Sequence, residues 1–173
     1  MKIISFCFLV LLFSSCRQNT QEEKVMSEQE LSDHLTQANK LRVQKESEQI
    51  DEFVQRHQFK TEETGTGLRI QIYEHVKDGV PPVIHEEVAM TCRVFLLDGT
   101  LCYESDTTNP VRFKLGEGME VRGLEEGIMR MNPGEKARLI IPNHLAYGLS
   151  GDGDKIPPGA TLFIDVKLLR EEK

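Results

Sequence analysis

Three short blocks in the last third of the chain decide the fold: GLEEG at residues 123–127, AYG at 146–148 and IPPGATL at 156–162. Each block has its own turn or pocket chemistry, and the three follow one another in this order with gaps of 18 and 7 residues between them. Such a combination is much harder to obtain by chance than any single short motif. The blocks therefore indicate one particular kind of domain.

Short runs of alternating apolar residues surround these blocks and predict strands. The runs lie at residues 68–72, 88–97, 111–115, 137–141 and 162–168. Asp98 and Gly99 signal a hairpin, and Pro133 and Gly134 end the one clear helix, which runs from about residue 123 to 131. This order predicts an α+β fold in which a strongly twisted antiparallel sheet wraps around one short helix.

The composition of the chain excludes several classes of function. With 173 residues, of which 39% are hydrophobic and 28% charged, the chain is long enough for one domain and an appendage. Its net charge is -7 and no stripe of lysine and arginine is present, so we expect no nucleic-acid partner. The histidines are scattered without ligand spacing, so neither a metal nor a cofactor is expected. Glu125 and Glu126 are interpreted as a solvated helix face.

The first residues have the pattern of an export signal. A lysine precedes an apolar run over residues 3–13, which is shorter than the roughly 20 residues that a membrane-spanning helix needs. Two serines then precede Cys16, as in a bacterial lipobox, although Phe13 stands where leucine is commonest. We therefore predict a lipoprotein signal over residues 1–15 and a lipid on Cys16 that anchors the chain to a membrane of the bacterial envelope, facing the periplasm. The alternative is an ordinary signal peptide with an incidental cysteine.

The next segment predicts a tether followed by a helix. Residues 16–26 are polar and lack apolar periodicity. Ser27 and Glu30 then form a capping box, and apolar residues recur at helical spacing, which predicts a helical stalk over residues 27–58. Two interpretations of this helix remain open. It is either a stalk that forms a homodimer and holds the next domain off the membrane, or a solvated helix that docks lightly on that domain.

From about residue 64 to residue 169 the three blocks and the strands around them resemble the FKBP family of peptidyl-prolyl isomerases, which predicts an isomerase domain over residues 64–173. The resemblance implies a half-barrel of antiparallel strands around one short helix, with a substrate pocket between helix and sheet. It also implies four catalytic residues. The Tyr147 hydroxyl would donate to a carbonyl of the bound peptide, Leu124 would form the pocket floor, the backbone of Val121 would face the ligand, and Ile156 would lie at the pocket mouth.

The same resemblance assigns the rest of the substrate pocket to positions where this chain departs from the family pattern. Cys102 and Tyr103 stand where most members have Phe and Asp, Cys92 replaces an aromatic, and Val111 and Ile164 hold positions that are commonly Phe. Because each buried ring contributes about 1.5–3 kcal/mol, the loss of several rings should widen the cavity and lower catalytic efficiency. The two cysteines either form a disulfide or line the pocket as thiols.

These observations predict a membrane-anchored peptidyl-prolyl cis-trans isomerase that acts on proline-containing segments of exported polypeptides. The lipobox, the helix and the divergent domain together resemble the gliding-motility-associated lipoprotein isomerases, with the segment 95–105 as the local match. The alternative is a catalytically weak or inactive FKBP-fold chaperone or scaffold that binds envelope proteins. Neither hypothesis requires a cofactor, because isomerisation is rotation about an amide bond and peptide binding involves no chemical step.

Overall fold

The computed structural model describes residues 27–77 and 79–170. The helices are α1 (Glu28–Arg56) and α2 (Arg122–Ile128), with a 3-10 helix at Asn143–Leu145. The strands are β1 (Glu62–Glu63), β2 (Arg69–Glu74), β3 (Glu87–Leu96), β4 (Leu101–Glu104), β5 (Val111–Lys114), β6 (Lys136–Ile141) and β7 (Leu162–Leu168). The predicted signal peptide, lipidation site and tether lie outside the described residues.

The chain divides into two compact units, one ending at Thr36 and one beginning at Gln37. Of the first unit, the structure describes the start of α1. The Ser27 N–H donates to the Glu30 carboxylate at 3.0 Å and the Glu30 N–H donates to the Ser27 hydroxyl at 3.2 Å, which confirms the predicted capping box. Among the described residues, no helix is both long enough and apolar enough to cross a bilayer.

In the second unit, the described strands form one antiparallel sheet in the order β1-β2-β6-β7-β3-β4, with β5 also paired to β3. Strand β3 pairs with β7 along one edge, and its other edge is long enough to pair with two further strands. Its first part, from Glu87 to Met90, pairs with β5, and its second part, from Arg93 to Phe95, pairs with β4. The sheet therefore curls around α2, and the predicted half-barrel is confirmed.

The inner face of the sheet packs closely on α2 because the helix presents glycines to it. Gly123 and Gly127 lie one helical turn apart on the same side. A methyl group at Gly123 would collide with Ile141, and one at Gly127 would lie 2.6 Å from Leu139 Cδ1. The GLEEG block therefore sets the short distance between helix and sheet, which explains why this block is so informative about the fold.

The outer face of the sheet is covered by the second half of α1. Ile140 and Phe163 are paired in the β6–β7 register and form a second core with Ile50 and Phe53, whose exposed fractions are 2% and 4%. The rings of Phe53 and Phe163 lie 5.4 Å apart. This part of α1 is therefore an integral layer of the second unit and docks on the sheet through a buried core, and the stalk remains a prediction. The homodimer remains a prediction.

Candidate active site

A cavity of about 380 Å³ lies between α2 and the inner face of the sheet. Its floor and walls are mainly apolar, and its rim carries the polar groups. The described residues that line it are Met90, Cys92, Val94, Tyr103, Glu104, Ser105, Asn109, Pro110, Val111, Glu120, Val121, Leu124, Tyr147, Leu162 and Ile164. The cavity is bounded by the start of α2 and by strands β3, β4, β5 and β7.

The structure brings most of the sequence-predicted pocket residues together in this cavity. Those that line it are Tyr147, Val121, Leu124, Cys92, Tyr103, Val111 and Ile164. Leu124 and Ile164 are buried, with exposed fractions of 2% and 1%, and form the deep part. Val121 precedes α2, and its carbonyl accepts the N–H of Leu124 at 3.0 Å, so the start of the helix forms part of the wall.

Ile156 and Cys102 do not line the cavity, in contrast to the expectation from the sequence. Both are buried in the core behind the wall. The Ile156 N–H donates to Asp152 Oδ1 at 2.8 Å, within a turn that directs Ile156 inward. Tyr103 takes the cavity-facing position of β4 opposite Val94, and successive strand residues point to opposite sides. Its neighbour Cys102 therefore points away from the cavity.

Tyr147 combines an accessible hydroxyl with a fixed backbone. The Asn143 carbonyl accepts the N–H groups of Ala146 at 3.0 Å and Gly148 at 2.8 Å, which flank Tyr147 on both sides. Burial raises the pKa of Tyr147, and the charges of Glu120 and Asp152 raise it further. The hydroxyl therefore keeps its proton at neutral pH, and it forms no hydrogen bond with any of the described residues. It is available to donate to a ligand.

A buried carboxylate of α1 fixes the segment that carries Tyr147. Glu46 is 7% exposed, and its Oε1 accepts the Asn143 N–H at 2.6 Å and the Thr161 hydroxyl at 2.6 Å. Its Oε2 accepts the Asn143 side-chain amide at 2.7 Å. Because Asn143 also binds the backbone on both sides of Tyr147, a continuous chain of hydrogen bonds links α1 to the rim of the cavity.

Tyr103 holds the loop over residues 148–156 against the rim. Its hydroxyl donates to Asp152 Oδ2 at 2.5 Å, and this bond raises the pKa of Tyr103 to about 12 and lowers the pKa of Asp152. The other oxygen of Asp152 accepts the N–H groups of Asp154 and Ile156. The Lys155 ammonium lies 4.9 Å from the centre of the Tyr103 ring. Tyr103, which stands where the resemblance leads us to expect Asp, thus stabilises this loop.

The two cysteines are free thiols rather than a disulfide. In the β3–β4 region Cys92 faces Ser105, whose hydroxyl accepts the Cys92 N–H at 3.0 Å and whose own N–H donates to the Cys92 carbonyl at 2.8 Å. Burial raises the pKa of the Cys92 thiol, so it stays neutral. Cys92 therefore acts as a small wall residue of the cavity.

Two carboxylates near the start of α2 have roles that sequence analysis did not find. Glu125 is 9% exposed and its Oε2 accepts the Gly116 N–H at 3.1 Å, so its interpretation as a solvated residue is wrong. Glu120 lines the cavity, and its pKa is raised by burial and then by the charge of Glu125. Nothing in the sequence around Glu120 signals this placement, because glutamates near helix starts are usually solvated.

Comparisons with known proteins identify this architecture. A family model described as FKBP-type peptidyl-prolyl cis-trans isomerase matches residues 79–169. FK506-binding protein 1 of Dictyostelium discoideum is 36% identical over 104 residues, covering 60% of this chain and 96% of that protein. The human peptidyl-prolyl cis-trans isomerase FKBP2 is 44% identical over 79 residues, but the chain spans only 56% of its length. The crystal structure of FkpA from Escherichia coli superposes with a TM-score of 0.63 at 31% identity, covering 84% of this chain and 73% of that one.

Proposed function

Because the chain belongs to the FKBP-type peptidyl-prolyl cis-trans isomerase family, we propose that its cavity accelerates rotation about the amide bond that precedes proline. The family match and the names of the relatives agree with the enzyme class predicted from the sequence. The observation that carries the proposal is an available Tyr147 hydroxyl at the rim of an apolar cavity formed by Leu124 and Ile164.

The chemistry requires no nucleophile and no proton transfer. A prolyl amide resists rotation because of resonance across its C–N bond, with a barrier of roughly 18–20 kcal/mol. Twisting the amide abolishes this resonance and makes the amide less dipolar. An apolar cavity therefore stabilises the twisted form relative to the planar one, and the Tyr147 hydroxyl holds a neighbouring carbonyl in place. Proline suits such a cavity because its ring is compact and its nitrogen carries no proton.

A protease-coupled assay on a prolyl peptide tests this function, with the chain from Arg17 onward as the catalyst. Tyr147→Phe should lower kcat/KM by about twofold to tenfold, the value of one neutral hydrogen bond. Tyr73→Phe is the matched control. Tyr73 is also 37% exposed, but its hydroxyl donates to Asp165 and lies outside the cavity. If the parent chain leaves the spontaneous rate unchanged at micromolar concentration, the chain is not an isomerase.

A second function, peptide binding without catalysis, is favoured by the wall residues themselves. Cys92 and Val111 line the cavity at positions where larger rings would bury more apolar area against a proline. A chaperone or scaffold of this kind would bind prolyl peptides and show only the spontaneous isomerisation rate. Peptide affinity measured beside the isomerase assay separates the two functions, because binding that survives without rate acceleration identifies the scaffold.

We further propose that the chain is a lipoprotein of the bacterial envelope that acts on exported polypeptides. The support is the apolar run before Cys16 in the sequence. Mass spectrometry of the native protein should find residues 1–15 removed and a diacylglyceryl group on Cys16. An unmodified Cys16 would contradict the proposed lipid anchor.

A role in gliding motility and a homodimer through residues 27–58 complete the proposal. The motility role is supported by the local resemblance at residues 95–105, and deletion of the gene should then abolish surface spreading.

The homodimer is supported by Leu35 and Leu41 of α1, which are exposed. Sedimentation of the chain should give twice the monomer mass, and Leu35→Glu should restore the monomer.

A further inference from the structure

Glu120 is the acidic side chain that faces the cavity. Among the described residues that line it, two are carboxylates, Glu104 and Glu120, and none is lysine, arginine or histidine. Glu104 is exposed and lies directly opposite Arg93 in the β3–β4 register, so it shares a sheet face with a cation. Arg93 itself pairs with Asp165 on the outer side of the sheet. Glu104 is therefore directed away from the cavity, and Glu120 is the carboxylate that faces it, with no lysine, arginine or histidine among the described lining residues.

The charge of Glu120 acts across the cavity. It raises the pKa of Tyr147 at the rim and of Cys92 in the opposite wall, in each case after the effect of burial. Behind Glu120 lies the buried Glu125, whose Oε1 has no hydrogen-bond partner among the described residues. The charge of Asp152 also raises the pKa of Tyr147. The cavity therefore has a negative potential that no described side chain within it neutralises.

We propose that Glu120 makes the cavity selective for prolines that are flanked by lysine or arginine. This inference rests on the proposed isomerase function and names its substrate class. A peptide whose proline occupies the cavity must place its flanking residues at the rim, within reach of a carboxylate that water solvates only in part. An ion pair is stronger in such a place than in bulk water, while an acidic flanking residue would be repelled.

Three peptides that differ only in the residue before proline provide the test: lysine, norleucine, which has a similar chain without the charge, and glutamate. A second set carries the same residues after proline. Exchange NMR gives kcat/KM without a coupling protease. In one of the two sets, the lysine peptide should exceed the norleucine peptide by about fivefold, the upper range for a solvent-accessible ion pair. The glutamate peptide should fall below both.

Two perturbations assign the preference to Glu120. Glu120→Gln should bring the lysine to norleucine ratio close to one. The matched control is Glu117→Gln, which changes the net charge equally in the same segment but removes a carboxylate that pairs with Lys114 at 2.9 Å and does not line the cavity. It should keep the parent ratio. In the parent chain the ratio should also collapse at about 1 M salt, where the screening length is about 3 Å, and this measurement needs no variant.

The outcomes separate this inference from the proposed function. Equal kcat/KM for lysine and norleucine peptides in both sets, or a ratio that survives Glu120→Gln, overturns the role of Glu120 while leaving isomerase activity intact. If no peptide is accelerated, the proposed function fails. The affinities of the same peptides, from NMR titration of the parent chain, then decide the matter, because tighter binding of the lysine peptide supports Glu120 and equal binding overturns it.

Discussion

Replacement of Glu46 by alanine should destabilise the protein and slow isomerisation at the same time. Glu46 lies on α1, well before the segment 79–169 that matches the family model. It accepts three hydrogen bonds, two from Asn143 and one from Thr161, in a place where it is 7% exposed. The Glu46→Ala variant leaves all three donors without an acceptor, and a buried donor without a partner is costly.

The magnitude follows from these contacts. A buried donor that loses its partner costs about 1–3 kcal/mol, so the loss of the acceptor for all three donors should cost about 3 kcal/mol or more in total. For a protein of this size, each kcal/mol lowers Tm by about 2–4 °C, so Glu46→Ala should lower Tm by roughly 10 °C. Glu46→Gln should cost less. Its remaining oxygen can still accept from the Asn143 N–H and Thr161, and the Asn143 amide can turn its own oxygen toward the new NH₂ group.

Thermal unfolding followed by circular dichroism measures the stability, and the isomerase assay below the unfolding temperature measures the effect on Tyr147. Glu48→Ala is the control, because Glu48 is exposed on the same helix and bonds only Gln44 among the described residues. Its Tm should stay close to that of the parent. The reasoning is refuted if Glu46→Ala unfolds at the temperature of Glu48→Ala, or if it loses stability while kcat/KM is unchanged.

Three further substitutions test other parts of the structure. Gly127→Ala should cost about 1–3 kcal/mol of stability in denaturant unfolding, because its methyl group would overlap Leu139, and an unchanged midpoint would contradict the close packing of α2. Phe53→Ala should cost about 3–5 kcal/mol, also by denaturant unfolding, because it empties the outer core, whereas a loss below 1 kcal/mol would mean that α1 is not a structural layer. Tyr103→Phe should speed amide hydrogen exchange over residues 148–156 and raise KM, since it removes the bond to the loop; equal exchange in parent and variant would show that the bond does not hold the loop.

The inner half of the fold could be predicted from local patterns. Alternation of apolar residues placed Leu139, Ile141 and Ile164 on one face of the sheet, and the two glycines of the GLEEG block marked the helix that packs there. These features are local in the sequence, and each has one physical interpretation. The antiparallel sheet and its short helix followed from them.

The outer layer could not be predicted, because its partners are far apart in the chain. Ile140 interrupts the alternation of β6 as an apolar residue on the outer face, and only the position of Phe53 shows what covers it. Glu46 resembled the other glutamates of a polar helix until Asn143 and Thr161, almost a hundred residues or more away, appeared beside it. A charged residue in a helical pattern is normally solvated, so nothing in the sequence marked Glu46 as buried.

Only those pocket residues that lie at motif positions could be predicted from the sequence. Tyr147 and Leu124 line the cavity, whereas Ile156 and Cys102 were expected there and lie behind its wall. The difference arises from side-chain direction. For Ile156 this direction depends on a turn, and for Cys102 it depends on the register of the strand. Glu120 was missed because its importance comes from the cavity around it rather than from its neighbours in sequence.

The central claim is that the cavity between α2 and the sheet binds a prolyl residue and speeds its isomerisation. The most direct measurement is exchange NMR of a lysyl-prolyl peptide with micromolar protein, with the amide shifts of the protein recorded in the same samples. We predict cis-trans exchange well above the spontaneous rate and shift changes centred on Val121, Leu124 and Tyr147. An exchange rate equal to the spontaneous one, in the presence of folded protein, would contradict the claim.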